Sequence, residues 1–529
     1  MGQDDVFQTV KLPFSPQEYP CTWNLPDVRS ENRNDGDGRC DGDESGTVEL
    51  NGTLDLTTGH DPRGSFYGKL PIIFKNGKGD LSQIGSFDRL TGRLSAGTYF
   101  ALINGHYNYW HIDHNKCWYI GHDKYWYIGH DKYWYIGHDK YWYIGRGCAN
   151  GAFAILSEKP FKKDEHRTYR SIELQLEGLD RIIDVSPAET QFDEEKSSSS
   201  IARNNKCWKW HRDNVSMKLY FAGRRRSDPH SFATPFAPVL RIDAVSPLTV
   251  VDWWLNWVIP LQEIIASAIG HTPDVMYMLA IAEHTSKREQ RDQIFKWDIK
   301  QESIYHSTDT TRRSESAIKI QEDNINLLDL LMKYQELLAS HHPLTETFQS
   351  VALSSDQHPR SRFLLLIQAL EGLHGYEHRE EEDKQCQAYK NKKKEVLGRL
   401  KKLDHTEENE IITKNDCKFL IKNLMSSQFV TLEIRLITIF DTLPSGVREK
   451  LGRSALIRQF RELQQEPNMR MEAALARIRN KLSHGAISLN PNDLDDVVET
   501  LYRVVRAELL RVLGAPESCR MRLLKDVES

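Results

Sequence analysis

The stretch from 471 to 485 reads MEAALARIRNKLSHG, and its apolar residues recur at helical spacing. That spacing of four, three and four positions predicts a helix with one buried stripe. The stripe consists of Met471, Leu475, Ile478 and Leu482. Gly485 is placed to end the helix, because glycine readily adopts the left-handed conformation found just after many helices. The stretch therefore presents polar residues at a helix end.

Three polar residues of this stretch have the chemistry needed to cleave a phosphodiester: Arg479, Asn480 and His484. Arginine binds phosphate through a planar fork of donors, and histidine gains and loses a proton near neutral pH. Asn480 and His484 share nearly one side of the helix, whereas Arg479 and His484 are turned by roughly 140° and meet only around a substrate or a partner helix. A solvated arginine with a capping histidine is the alternative interpretation.

Length and composition bound the class of protein. At 529 residues the chain exceeds what one hydrophobic core usually holds, so two or three domains are expected. Hydrophobic residues make up 39% and charged residues 27%, which is typical of a folded soluble chain. Because the net charge is −5, any RNA-binding surface must be a local basic patch.

Cysteine usage and the N-terminus predict a cytoplasmic protein without membrane contact. The eight cysteines show no CxxC pair, which favours reduced thiols. The first residues, MGQDD, lack the apolar core of a signal peptide, and Val6 stands where myristoylation needs Ser or Thr. The most apolar window, 250–269, contains Asp252, Pro260 and Glu263, so we expect a buried helix there rather than a membrane span.

The N-terminal part of the chain alternates short apolar runs with turn residues. A loop is predicted at 29–45, where Asn, Asp, Gly and Arg dominate. The strands that follow are predicted at Thr47–Leu56, Leu70–Phe74, Thr98–Ile103, Ala152–Leu156, Ile172–Leu176 and Met217–Phe221. Many short strands of this kind predict a sandwich or barrel-like β domain.

A tandem repeat of eight residues occupies 109–147. The unit YWYIGHDK occurs twice without a difference, at 125–132 and 133–140, and is flanked by variant and partial copies. Four apolar residues followed by Gly-His-Asp-Lys predict a small β meander. The recurring His and Asp side chains leave a metal-binding interpretation open. The alternative is a duplicated hairpin in a surface loop, where long insertions are tolerated.

Beyond the strands, the pattern becomes helical. Ser246-Pro247 predicts the start of a helix that runs to about 270 and packs on the β domain, and 275–282 predicts one more strand. The polar residues at 283–322 predict an exposed connection. Helices are then predicted at 325–340, 361–376, 383–403, 409–424, 428–442, 447–465, 470–485 and 492–513. The C-terminal part is therefore predicted to be an α bundle.

Two segments of this bundle resemble the HEPN domains of the ApeA type. The first predicted helix carries Arg362-Phe363-Leu364 with Gln368-Ala369-Leu370-Glu371, and the penultimate one carries RNKLSHG. The order of a β-rich region, a helix, a strand and a helical bundle is also similar to the ApeA N-terminal domain followed by its HEPN domain, although the tandem repeat departs from it. The resemblance covers nearly the whole chain.

The resemblance and the patterns together predict an α+β multidomain protein. The expected parts are an N-terminal β-rich, sandwich-like sensor domain with a packed helix at 1–285, a partly helical connection at 286–357, and a C-terminal all-α HEPN bundle at 358–520. The resemblance implies an anti-phage ribonuclease of the bacterial cytoplasm that cleaves RNA, with tRNA as one candidate substrate, after a phage-derived trigger. It also implies a homodimer or higher oligomer that joins two motifs.

On this resemblance Arg479, Asn480 and His484 form the catalytic set, and Glu371 and Gln368 support it from the first helix. A basic run could follow an RNA backbone, although the acids at 380–383 would pair with some of it, and a solvated helix face is the favoured interpretation. The run includes Lys392, Lys393, Lys394, Lys401 and Lys402. No metal or cofactor is expected, because no cluster with ligand spacing accompanies the motif. A non-catalytic HEPN scaffold that only dimerises or binds RNA is the alternative.

Overall fold

The computed structural model divides the chain into two compact units. The described residues are 12–26, 47–71, 74–75, 78–79, 84–111, 142–162, 167–186, 188–193, 198–203, 206–223, 226–228, 231–233, 236–282, 289–301, 316–352, 357–403, 415, 419 and 430–525. A β unit comprises the described parts of 1–180, 185–258 and 273–313, and a helical unit comprises those of 181–184, 259–272 and 314–529. The predicted order of a β-rich region followed by a helical region is confirmed.

The β unit is built almost wholly from antiparallel strands. They are β1 (Glu18–Pro26), β2 (Thr47–Asp55), β3 (Arg63–Pro71), β4 (Phe74–Lys75), β5 (Lys78–Gly79), β6 (Ile84–Leu94), β7 (Tyr99–His111), β8 (Trp142–Ser157), β9 (Tyr169–Leu176), β10 (Ala188–Asp193), β11 (Ser198–Arg203), β12 (Cys207–Arg212), β13 (Val215–Gly223), β14 (Arg226–Asp228), β15 (Ser231–Ala233), β16 (Phe236–Leu248), β17 (Val275–Ile281) and β18 (Arg291–Phe295). Five of the six strands predicted from 47 to 221 coincide with one of these, whereas the strand predicted at Leu70–Phe74 covers the end of β3 and the start of β4.

Twelve strands form one sheet, and half of them close on themselves. The order β8-β3-β2-β1-β6-β7 returns to its start because β7 also pairs with β8. The strands β12-β13-β16-β9-β17-β18 continue from β8 as an open sheet. Strand β8 serves both parts, since 142–150 pairs with β3 and 154–156 with β18. The closed part agrees with the barrel-like alternative of the prediction, and the open part extends the same sheet rather than forming the second layer of a sandwich.

The closed part has an aromatic core. The alternating residues of β1 from Cys21 to Leu25 are buried, as period-two patterning requires. Trp23 meets Phe100 edge-on at 4.7 Å between ring centroids and lies 5.9 Å from Phe66. A Cβ at Gly64 would lie 1.9 Å from the Trp23 ring, so only glycine fits there. This close packing fixes the interior of the closed sheet.

The stretch predicted as one helix from 246 to 270 begins as a strand and continues as two α-helices with a π-helical turn between them. Strand β16 continues through Ser246 and Pro247 to Leu248, and the helix begins only after Thr249. The reason is a capping box: the Thr249 hydroxyl accepts from the Asp252 backbone N–H, and the Asp252 carboxylate accepts from that of Thr249. Helices α2 (Val250–Trp253) and α3 (Ile259–Ile269) are joined by the π-helical turn Trp254–Val258. Only the residues up to 258 belong to the β unit.

The predicted exposed connection at 283–322 is only partly exposed in its described residues. Strand β18 lies inside this range, and Asp292 to Phe295 are buried. The polar residues of β18 led to the wrong prediction, because Asp292 is buried with partners that lie far away in sequence. These partners are Arg167 and Tyr169. Ala317, Ile318 and Ile320 are buried as well. The division between units thus differs from the predicted boundaries at 285 and 357.

The helical unit contains most of the helices that the structure describes. Besides α1 (Leu179–Ile183) and α3 they are α4 (Leu327–Ala339), α5 (Pro343–Ala352), α6 (Pro359–Glu377), α7 (Arg379–Leu403), α8 (Leu432–Asp441), α9 (Ser445–Arg453), α10 (Ala455–Gln464), α11 (Met471–Ser483), α12 (Pro491–Val512) and α13 (Glu517–Lys525). The predicted helix at 447–465 is broken at Ser454, whose hydroxyl accepts from the Ile457 backbone N–H and begins α10. Helix α13 was not predicted.

A buried arginine joins α12 to α3. Arg506 donates from Nε to the Ser267 carbonyl at 2.8 Å and from Nη2 to the Ala268 carbonyl at 2.9 Å. Gly270 follows with φ +91°, and a Cβ there would lie 2.8 Å from the Arg506 guanidinium. Burial lowers the pKa of Arg506 to about 10. The end of α3 is therefore sealed by a side chain from a distant helix.

Three predicted features lie wholly or largely outside the described residues. They are the loop at 29–45, the helix at 409–424 and most of the tandem repeat, whose residues 112–141 are not described. The flanks of the repeat are described, because Tyr109 pairs with Gly147 and His111 with Gly145. The repeat thus stands between the two paired strands β7 and β8. Within the described parts of the chain, no helix is long and apolar enough to cross a membrane.

Candidate active site

Helix α11 presents the predicted motif as its spacing requires. All four residues of the expected stripe are buried, and so are Glu472 and three alanines between them. Arg479 keeps about one third of its side chain exposed at 33%, while Asn480 and His484 are exposed. The apolar stripe anchors the helix, and the polar residues are left at its surface.

The end of α11 places His484 at the surface. His484 is the last half-helical residue, and Gly485 follows with φ +68°. The Gly485 N–H donates to the Leu482 carbonyl at 3.1 Å, and the Ala486 N–H donates to the Lys481 carbonyl at 2.9 Å. This pair of bonds is a Schellman motif, in which a glycine avoids the steric penalty of the left-handed backbone. The turn fixes the backbone of His484 while leaving its imidazole exposed.

Glu371 holds the motif arginine from α6. Its Oε2 lies 3.2 Å from Arg479 Nη2, and Arg479 Nη1 donates to Asn480 Oδ1 at 3.2 Å. Asn480 therefore contacts the arginine that precedes it in the chain. Both charged side chains are about one third exposed, so solvent screens the pair and its contribution to stability is under about 1 kcal/mol. Glu371 orients the guanidinium more than it stabilises the fold.

Two predicted site members are not brought into this contact. The Arg479 guanidinium faces α6, whereas His484 lies at the end of α11, and no hydrogen bond joins the two within the described residues. Gln368 is exposed one turn before Glu371 and forms no hydrogen bond with the described part of the chain. Within one chain the arginine and the histidine are separate, as the 140° turn between them predicts.

A second set of ionisable groups lies behind Glu371, and sequence reasoning missed it. Arg435 on α8 donates to the Glu371 carbonyl at 3.4 Å and forms an ion pair with Glu382 at 2.7 Å. The other oxygen of Glu382 lies 3.2 Å from Nδ1 of His374. Burial, followed by the nearby His378, lowers the pKa of His374. The spacing of His374, His378 and Glu382 along the chain was the one available signal.

Arg360 was also missed. It lies in the first turn of α6, and its Nη2 donates to the Leu482 carbonyl, two residues before His484. The N-terminus of α6 is thereby placed beside the C-terminus of α11. No sequence pattern pointed to this contact, because the two residues are 122 positions apart.

The predicted basic run lies on α7. Lys392 pairs with Glu395 at 3.1 Å, and Arg399 pairs with the same carboxylate at 2.5 Å. These two cations therefore pair within α7 with Glu395, and Glu382 pairs with Arg435. Lys394 is exposed, Lys393 is partly buried, and the side chains of Lys401 and Lys402 lie outside what is described.

No metal site accompanies the motif in the described residues, where no group of three His, Cys, Asp or Glu side chains is arranged to hold an ion. No protein-family model, curated protein or solved structure matches the chain. The site must therefore be interpreted from its own geometry.

Proposed function

We propose that the chain is a metal-independent endoribonuclease of the HEPN class, ApeA type, that acts in anti-phage defence in the bacterial cytoplasm. The observation that supports this best is the arrangement on α11: an exposed histidine beyond the last helical residue, and an arginine one third exposed and held by Glu371. These are the two side chains that phosphodiester cleavage needs.

His484 would act as the general base or acid. It takes the proton from a ribose 2′-hydroxyl, the 2′-oxygen forms a bond to the adjacent phosphorus, and the bond from phosphorus to the 5′-oxygen breaks. The leaving oxygen takes up a proton, which gives a cyclic phosphate and a 5′-hydroxyl. A positioned acid or base contributes about 10² to 10⁴ in rate. Arg479 would stabilise the charge that develops on the phosphate.

A second copy of the chain completes the proposal. Because Arg479 and His484 stay apart within one chain, we propose that a homodimer joins two motifs around one RNA. The lysines of α7 would contact the RNA backbone, since ion pairs between exposed side chains are weak enough to be exchanged for phosphate. The β unit would respond to a phage-derived trigger.

A non-catalytic scaffold is the second candidate, and one observation favours it. Glu371 already neutralises the Arg479 guanidinium, which is what a helix surface without substrate would show. In this case the helical unit would dimerise or bind RNA without cutting it.

The deciding experiment compares the wild type with His484→Ala after induced expression, by sequencing RNA ends. We expect the cleavage rate of the variant to fall about 10²-fold or more, and toxicity and phage protection to be lost with it. The circular dichroism spectrum should stay that of the wild type. His341→Ala is a matched control, because His341 is also exposed in the helical unit, 3.8 Å from Glu346. Cleavage is also expected to persist in EDTA. Undiminished cleavage by folded His484→Ala would refute the catalytic role and favour the scaffold.

A further inference from the structure

The carbonyl oxygen of Leu482 connects a cation to the end of the motif helix. It accepts from Nη2 of Arg360 and from the Gly485 N–H, while the backbone N–H of His484 donates to the Asn480 carbonyl at 3.2 Å. Arg360 is therefore bonded to the last turn of α11, two residues before His484. The guanidinium is held next to the turn that carries the exposed imidazole.

Arg360 differs from the neighbouring arginines in its charge balance. Arg479 pairs with Glu371, and Arg362, two residues after Arg360, pairs with Glu499 at 3.1 Å. Arg360 pairs with no carboxylate among the residues described here. Among the residues that the structure describes, the cation bonded beside His484 is thus not neutralised by a carboxylate, while the motif arginine is.

Capping a helix end does not use up the capacity of Arg360. Basic side chains often bond the last carbonyls of a helix, and this contact does so. The guanidinium has five N–H donors in a planar fork, and the Leu482 carbonyl engages one of its nitrogens. Arg360 is only half-buried, so its other edge can meet a ligand. A planar fork of this kind matches two phosphate oxygens.

We infer that Arg360 is a second phosphate-contacting arginine of the proposed active site. The inference rests on the proposed ribonuclease function and adds to it a residue outside the RNxxxH motif. Arg360 holds the non-bridging oxygens of the phosphate next to His484, and Arg479 from a second copy of the chain completes the charge stabilisation in the proposed homodimer. The ligand class is single-stranded RNA, recognised through its phosphates rather than its bases.

RNA binding tests this contact separately from cleavage. In the His484→Ala background, a short single-stranded RNA is titrated over a range of salt concentrations with and without Arg360→Gln. Loss of one phosphate contact lowers the slope of log affinity against log salt by about 0.7. Arg477→Gln is the matched control, because Arg477 is an exposed cation of α11 that pairs with Glu466 at 2.9 Å. An unchanged slope in the Arg360 variant overturns the inference.

Kinetics then distinguish contact from capping. We expect Arg360→Gln in the active protein to lower kcat about 10²-fold at saturating RNA, and Arg360→Lys to recover only part of it. The thermal unfolding midpoint is followed in both variants. If Arg360→Lys restores both kcat and the thermal unfolding midpoint to their wild-type values, Arg360 acts in capping alone and the inference is overturned. If Arg360→Gln lowers the salt slope as expected but the wild type cleaves no RNA, the nuclease proposal is refuted and the phosphate contact is kept.

Discussion

The β unit and the helical unit each contain an arginine paired with a carboxylate, and the two pairs differ in their surroundings. In the β unit, the fully buried Asp292 accepts from Arg167 at 2.8 Å and from the Tyr169 hydroxyl at 2.8 Å. In the helical unit, Arg479 and Glu371 are each about one third exposed. The buried pair has its hydrogen bonds supplied by the protein, whereas the exposed pair keeps donors and acceptors that face solvent.

This difference separates structural from functional polar groups. A buried charge must be compensated within the fold, because removing one partner leaves the other charge without water. A partly exposed pair can exchange partners, because water stabilises each charge when the pair opens. A site that binds phosphate needs the second arrangement. Mutation of the buried pair should therefore lower the stability of the fold, whereas mutation of the exposed pair should lower activity and leave stability nearly unchanged.

The largest expected effect is on stability, at Asp292. Asp292→Ala leaves Arg167 and Tyr169 without their buried acceptor, so the free energy of unfolding should fall by about 3–5 kcal/mol. Urea titration followed by tryptophan fluorescence measures it. Glu371→Gln is the matched change in the exposed pair and should shift stability by less than about 1 kcal/mol. Equal losses in the two variants would contradict the distinction.

The next effect is on activity, at Arg479. Arg479→Lys retains the positive charge but not the planar fork, so RNA cleavage should fall about 10²-fold while stability is nearly unchanged. Single-turnover cleavage and thermal unfolding measure the two quantities. Cleavage close to the wild-type rate would show that Arg479 acts only as a general positive charge.

A third case is a buried carboxyl that pairs with no cation among the described residues. Glu263 on α3 is 2% exposed, its Oε2 has no hydrogen-bond partner in the part of the chain that the structure describes, and burial raises its pKa from 4.5 to about 8. A raised pKa means that the contribution to stability is complete below pH 4.5 and is lost as the pH rises through about 8. The free energy of unfolding should fall by up to about 1.4 kcal/mol per pH unit in that window.

Glu263→Gln tests this contribution, because the amide does not titrate. The variant should match the wild type near pH 4.5 and be more stable than it at pH 8, by urea titration across the range. Parallel pH profiles for the two proteins would show that Glu263 does not ionise in this window.

The smallest expected effect is that of removing repeat units. Deletion of 117–140 takes out three whole units, an even number of residues, so the side chains of the paired strands β7 and β8 keep their faces. We expect RNA cleavage and phage protection to be retained. Loss of protection alone would assign the repeat to sensing, and a soluble deletion protein that no longer cleaves RNA would contradict the separation of repeat and nuclease site.

The sequence predicted what depends on local spacing. The strands followed from alternation, and the exposed His484 followed from a four-three-four stripe that ends in glycine. It failed where partners are distant: β18 looked polar because Asp292 is compensated by Arg167, 125 residues away. Arg360 was missed for the same reason, since its bond to Leu482 exists only after α6 and α11 have packed. Capping by Thr249 also outweighed the helix-start pattern at Ser246.

The hydrogen bonds from Arg506 to the carbonyls at the end of α3 have a consequence for synthesis of the chain on the ribosome. Arg506 follows Ser267 by 239 residues, so at about 5–20 residues per second the ribosome adds it roughly ten to fifty seconds after α3 has been made. During this interval the carbonyls at the end of α3 lack the side chain that binds them. Translation that stops before residue 506 would therefore release a chain in which these carbonyls lack their Arg506 partner. We expect proteases to degrade such an aborted product.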